Sequence, residues 1–173
     1  MGYCAVCDGA FFKGLPVAVN GGGNSALQDA MLLSETSSRV YLIHRRGSFR
    51  GEEKLVEALR EKDNVEFVLN ASIVRLLGED ELTGVVVAQN GIEREIAVDG
   101  LFVAIGHEPD IGAFSDFAEL DARGYAASDE GCLTRTPWLF VAGDCRAKKV
   151  HQLTTAVSDG AVAALAACAW LDK

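Results

Sequence analysis

An α/β fold built on a doubly wound parallel sheet is what this sequence predicts, and three observations predict it. Short apolar runs alternate with amphipathic stretches of helical period, the pattern of βαβ units. Glycines gather at the joints between these runs, with 18 Gly against only 3 Pro in the chain. A length of 173 residues supports one domain with a full core, or one domain and part of another.

The elements follow in order. Pro16-Val17-Ala18-Val19-Asn20 is a strand running into Gly21-Gly22-Gly23, and Ala26, Ala30 and Leu33 then fall on one helix face. Val40-Tyr41-Leu42-Ile43 is a second buried strand and ends at His44-Arg45-Arg46. Residues 52–61 read as a charged amphipathic helix and residues 65–69 as a third strand, which completes βαβαβ. Segments 72–77, 82–88 and 92–98 alternate as strands of an antiparallel meander, with Asn90-Gly91 as a hairpin turn. Residues 101–106 form a closing strand. A polar, Asp-rich stretch follows, then an expected strand over 138–144 and a long Ala-rich helix over 152–171.

Charge and composition exclude several classes. A net charge of −9 argues against general affinity for nucleic acid or anionic membrane, so a local cluster of arginines needs a local reason. No uninterrupted apolar run reaches the roughly 18–20 residues that span a bilayer. The start, Met1-Gly2-Tyr3-Cys4, has neither the basic nor the apolar region of a signal peptide. Of five cysteines only Cys4 and Cys7 are close, which is unlike a secreted disulfide scaffold and suits reducing cytoplasm.

Three motifs carry chemistry. Gly21-Gly22-Gly23-Asn24-Ser25-Ala26 is a G-x-G-x-x-A between strand and helix. Gly21 serves the tight turn, Gly23 the close approach of a pyrophosphate, Ala26 the packing of helix on strand, and the helix N-terminus offers amides to phosphate. The bland reading is a ligand-free glycine turn. At the end of the second strand a site for NAD would place an acid; here stand His44, Arg45 and Arg46, with Arg50 four residues on. Guanidinium groups match a ribose 2′-phosphate, which points to NADPH rather than a solvated basic turn. Cys4-Ala5-Val6-Cys7-Asp8 is either a redox pair or half a zinc site. His44, His107 and His151 lie too far apart in sequence to complete the latter, so no metal is expected. The redox reading puts a thiolate on one sulfur, with Asp8 moving its proton.

Taken together these motifs resemble the bacterial, low-molecular-weight thioredoxin reductases. The resemblance rests on Cys-Ala-Val-Cys-Asp-Gly-Ala-Phe-Phe, Gly-Gly-Gly-Asn-Ser-Ala, His-Arg-Arg-x-x-x-Arg and Phe-Val-Ala-Ile-Gly-His-x-Pro. It continues through Phe140-Val141-Ala142-Gly143-Asp144-Cys145 and Gln152-Leu153-Thr154-Thr155-Ala156. Asn20, usually aliphatic in the family, is a small departure.

The resemblance implies a Rossmann-like NADPH domain over residues 14–107, preceded by a redox segment, 1–13. It makes residues 108–173 the C-terminal segment of an FAD-binding domain whose N-terminal half, with its own glycine fingerprint, is missing here. It implies that Ile105 and Gly106 lie at the cofactor. Gly143 and Asp144 would hold the flavin ribityl chain, and Gln152, Leu153 and Thr154 would lie near its ring. The implied activity is NADPH-dependent disulfide reduction of thioredoxin or a thioredoxin-like protein by a homodimeric flavoprotein. Cys7 would sit nearer the flavin and Cys4 would attack the partner. This chain alone is expected to bind NADPH without turnover. A pure nucleotide-binding module and the flavoprotein partner of a peroxiredoxin remain alternatives. Arg45, Arg46 and Arg50 disfavour a ferredoxin-linked relative.

Overall fold

A computed structural model describes residues 1–172. The chain divides into two compact units, residues 1–106 and 107–173. In the first, α1 (Ala5–Asp8) and a 3-10 turn (Gly9–Phe12) precede β1 (Pro16–Gly21), α2 (Asn24–Ser34), β2 (Arg39–His44), α3 (Glu53–Arg60) and β3 (Val65–Leu69). β1, β2 and β3 are parallel, and β7 (Gly100–Ala104) joins β1 on the other side, giving the order β3-β2-β1-β7. Strand residues alternate between faces, and both faces are apolar. Val17, Val19, Val40, Leu42 and Phe102 pack against Ala26, Leu27, Ala30 and Leu33 of α2 and Val56 and Leu59 of α3.

The opposite face is covered by strands. β4 (Ala71–Leu77), β5 (Gly84–Gln89) and β6 (Ile92–Ile96) form an antiparallel sheet in that order. Its Val85, Val87 and Ile96 meet Ala18, Ile43, Val68 and Leu101 of the parallel sheet in a second core. The β5–β6 turn has Asn90 at φ 53° and Gly91 at φ 81°, the two positive values that a type I′ hairpin needs.

The second unit has little regular structure before α4 (Leu153–Leu171). The strand expected over 138–144 does not form. Phe140 makes one isolated bridge to Leu133, and Gly143–Cys145 is a 3-10 turn. A strand needs a neighbour along its length to satisfy its ladder, and among the described residues the pairing here is confined to residues 132–134, with Thr134 N donating to Leu139 O and Val141 N to Cys132 O. No uninterrupted apolar run of bilayer length occurs in helix α4 either, although its average hydropathy is high. It has 19 residues and a mean hydropathy of 1.3, so by length and composition alone it could cross a membrane. Thr154, Thr155, Ser158 and Asp159 break the continuous run without lowering that mean enough. Core helices of globular proteins meet the same criterion.

Candidate functional site

The carboxyl ends of β1, β2 and β7 open into a cleft of about 290 Å³. Its walls are Asn20, Gly21, Gly22, His44, Arg45, Arg50, Ala71, Ser72, Ile73 and Ile105. Gly21 and Gly23 differ in what surrounds them. A Cβ on Gly21 would fall 2.3 Å from the Ala104 carbonyl oxygen and 2.7 Å from Ala26 Cβ, so close packing, more than turn geometry, demands glycine there. A Cβ on Gly23 would meet nothing within 4 Å, which leaves open space beside the N-terminus of α2. No side chain caps that terminus, so its amides are free of a side-chain partner.

The arginine loop is fastened across this turn. The Arg50 amide donates to the Gly22 carbonyl at 2.7 Å. Asn24 accepts from the Glu52 amide at 2.7 Å and donates to the Glu52 carboxylate at 3.2 Å. Asn24 is therefore a clamp on the loop. Arg45, Arg46 and Arg50 all stand exposed, and Arg45 and Arg50 line the cleft. His44 is buried, stacked on Phe49 with ring centroids 5.6 Å apart. Burial lowers its pKa, and the Arg50, Arg46 and Arg45 charges push the same way.

The structure thus brings Gly21, Gly22, His44, Arg45, Arg50 and Ile105 into one cleft, with Gly23, Asn24, Ser25, Arg46 and Gly106 outside its lining. Asn20, Ala71, Ser72 and Ile73 also line it, and sequence reasoning did not single them out as binding residues. Asn20 had a signal, a polar residue at the end of a buried strand. The other three had none, because the start of β4 reaches the cleft only through the tertiary turn at Asn70.

Cys4 and Cys7 form a disulfide with Cα atoms 5.3 Å apart. The Cys7 amide donates to Cys4 Sγ at 3.1 Å, an interaction that would favour a thiolate on Cys4 after reduction. Cys4 is half-buried and Cys7 exposed, with Tyr3, Val6 and Phe11 exposed nearby in sequence. The segment is stitched to β7: the Gly2 amide donates to Leu101 O and the Val103 amide to Gly2 O, at 2.8 and 2.9 Å. Asp8 Oδ2 lies 2.9 Å from where a Gly2 Cβ would stand, so the carboxylate packs over Gly2 and would have to shift to admit a side chain there.

In the second unit Asp144 is exposed and Gly143 has φ +83°. Gln152 caps α4 in a reciprocal box with Thr155, leaving Leu153 and Thr154 exposed. One residue that the sequence did not reveal organises this region. The Asp159 carboxylate accepts from Arg146 Nη1 at 2.7 Å, Lys148 Nζ at 2.9 Å and the Gly143 amide at 3.2 Å. Burial alone would raise its pKa, but the Lys148 and Gly143 bonds and the Arg146 charge outweigh burial and hold it below the usual carboxylate range.

The glycine turn, the arginine loop and the disulfide all lie on the first unit. Residues 1–160 match the family profile described as pyridine nucleotide-disulphide oxidoreductase. The chain belongs to that family. Among its relatives, the thioredoxin reductase of Mycoplasma genitalium is 45% identical over 166 residues, covering 94% of this chain and 53% of that protein. That of Treponema pallidum is 38% identical over 172 residues, covering 98% and 56%. The crystal structure of thioredoxin reductase from Streptococcus pyogenes MGAS5005 superposes with a TM-score of 0.91 at 34% identity, covering 98% of this chain and 56% of that one. The thioredoxin reductase from Giardia duodenalis gives 0.83 at 30%, covering 99% and 58%. This pyridine nucleotide-disulphide oxidoreductase chain therefore spans about half the length of the curated relatives it matches.

Proposed function

We propose that the chain supplies the NADPH-binding and dithiol parts of a thioredoxin-disulfide reductase. The observation that carries this reading is the Cys4–Cys7 disulfide on the same unit as a glycine cleft flanked by arginines. NADPH would lie with its pyrophosphate at the N-terminus of α2 and its 2′-phosphate among Arg45, Arg46 and Arg50. Open space at Gly23 and uncapped helix amides fit that placement. In the second unit Gly143, Asp144, Gln152, Leu153 and Thr154 are offered to FAD. The buried, unpartnered Arg146 Nε and His151 Nε2 beside them in sequence fit a polar ligand. Bound flavin supplies the two-electron relay between nicotinamide and disulfide.

Two electrons and two protons convert the Cys4–Cys7 disulfide to two thiols. The Cys4 thiolate, stabilised by the Cys7 amide, attacks the disulfide of thioredoxin or a thioredoxin-like protein, with Asp8 handling the proton. Cys7 then displaces the reduced partner and closes the Cys4–Cys7 bond again. The working assembly is a cytoplasmic homodimer that uses neither nucleic acid nor membrane.

The test is a trap. A reduced Cys7→Ser chain mixed with oxidised thioredoxin should form a mixed disulfide through Cys4, whereas Cys4→Ser should form far less. No mixed disulfide with either variant would overturn the thioredoxin reading.

A further inference from the structure

The ring of His44 is placed with unusual economy. A Cβ on Gly22 would come within 2.2 Å of its Cε1, 2.3 Å of Nδ1 and 2.5 Å of Nε2. The middle position of the glycine motif must here be glycine because the imidazole occupies that volume. Phe49 stacks on the ring, and Phe49 is itself held edge-on by Phe67 at 5.0 Å. The ring bonds to the backbone of Ser48, and Nε2 is buried with no hydrogen-bond partner. A buried polar atom left unpaired costs free energy, and in a cleft wall it marks where a ligand completes the set.

The charged surroundings are one-sided. Arg45, Arg46 and Arg50 act on His44 from its own loop. The turn Gly21–Gly23 and the cleft residues Asn20, Ala71, Ser72, Ile73 and Ile105 bring no ionisable group. Phe49 and Phe67 are apolar, and Glu52, the carboxylate that follows the loop, is engaged by Asn24. Three positive charges and no negative one disfavour imidazolium. A dianion among the same arginines would reverse that field.

We propose that His44 takes up a proton from solvent as NADPH seats its ribose 2′-phosphate in this cleft, whereas NADH, lacking the phosphate, draws none. This rests on the NADPH reading above. No covalent bond changes: solvent or buffer gives the proton, and the imidazolium pairs with the phosphate. The sign is distinctive, because a phosphate whose second ionisation lies near 6 can only release protons on meeting arginines. The linked consequence is that NADPH affinity rises as pH falls through the His44 midpoint of the complex and levels off only below that of the free chain, which burial and the three arginines hold under the usual histidine value of about 6.5.

The experiment uses the full chain. It contains three histidines, so the His44 ring signal can be followed by NMR through a pH titration. With saturating NADPH its midpoint should rise by about one unit or more, equivalent to about tenfold tighter binding at the acid end, and NADH should leave it unmoved. Calorimetry at a pH midway between the midpoints of the free chain and of the complex, in two buffers of different ionisation enthalpy, should show proton uptake for NADPH. His44→Gln should abolish that uptake while keeping NADPH preferred, and Gly22→Ala, by displacing the ring, should reduce it. NADPH preferred over NADH with an unmoved His44 midpoint, or with uptake unchanged in His44→Gln, would overturn the inference alone. NADPH binding no tighter than NADH at every pH would sink the nucleotide reading, and the inference with it.

Discussion

Gly21 and Gly23 stand two residues apart, and their surroundings predict opposite outcomes for the same change. Gly21→Ala drives a methyl into the Ala104 carbonyl and Ala26, so it should lower stability by about 1–3 kcal/mol, a shift readable in denaturant melts. Gly23→Ala has open space around it and should melt like the parent. Its added methyl would nonetheless stand where the pyrophosphate must approach, so nucleotide titration should show weakened binding. The arginines make a separable prediction. Replacing Arg45 and Arg46 together by Ala should remove about 1.5–3 kcal/mol of NADPH affinity per charged hydrogen bond lost, with NADH affinity unchanged. Calorimetry with both nucleotides checks it, and equal affinities in the parent chain would contradict the assignment. These residues were legible in the sequence because their chemistry is local: a strand end, a glycine run and a basic turn within 30 positions. Asn24 was legible only as part of a motif. Its work as a clamp on Glu52 depends on a contact 28 residues away that no spacing rule announces.

Among the elements, the βαβαβ order and the Asn90-Gly91 hairpin could be read directly, since period and turn chemistry agree along the chain. The meander's position could not. Alternation in 82–88 says that one face is buried, and only the fold says that it is buried against Ala18, Ile43 and Leu101. The stretch 138–144 failed as a strand for a related reason: an apolar run signals burial, while strand formation needs a partner. What holds that stretch to α4 is Asp159, whose carboxylate carries two cations and an amide. Asp159→Asn should leave the partly buried Arg146 without a carboxylate and Lys148 with only the exposed Asp144 at 3.7 Å, and should destabilise the second unit by about 1–3 kcal/mol. Its acid dependence has a defined sign. The folded carboxyl titrates below its unfolded value of about 3.9, so its contribution is complete above that pH and fades as pH falls through the folded value. Protection of α4 from hydrogen exchange, followed from pH 6 down to about 3, should drop in the parent and lose this step in the Asn variant.

Across the whole molecule, α4 presents Leu153, Val157, Leu165, Trp170 and Leu171 to solvent. Apolar surface on that scale drives association, and the proposed homodimer provides a way to cover it. Light scattering over a concentration series should show mass rising toward twice that of the chain. A constant monomer mass with α4 strongly protected would contradict the dimer. Thiol chemistry was legible at this scale too, since Cys4 and Cys7 pair while Cys132, Cys145 and Cys168 remain free. The two backbone bonds that stitch Gly2 to β7 carry a mechanical consequence. Cys4 begins two residues after that seam, so the sulfur pair is carried by the body that holds the glycine cleft instead of swinging on a hinge of its own. Any journey the disulfide makes is then a movement of the entire carrier, glycine cleft and arginine loop included.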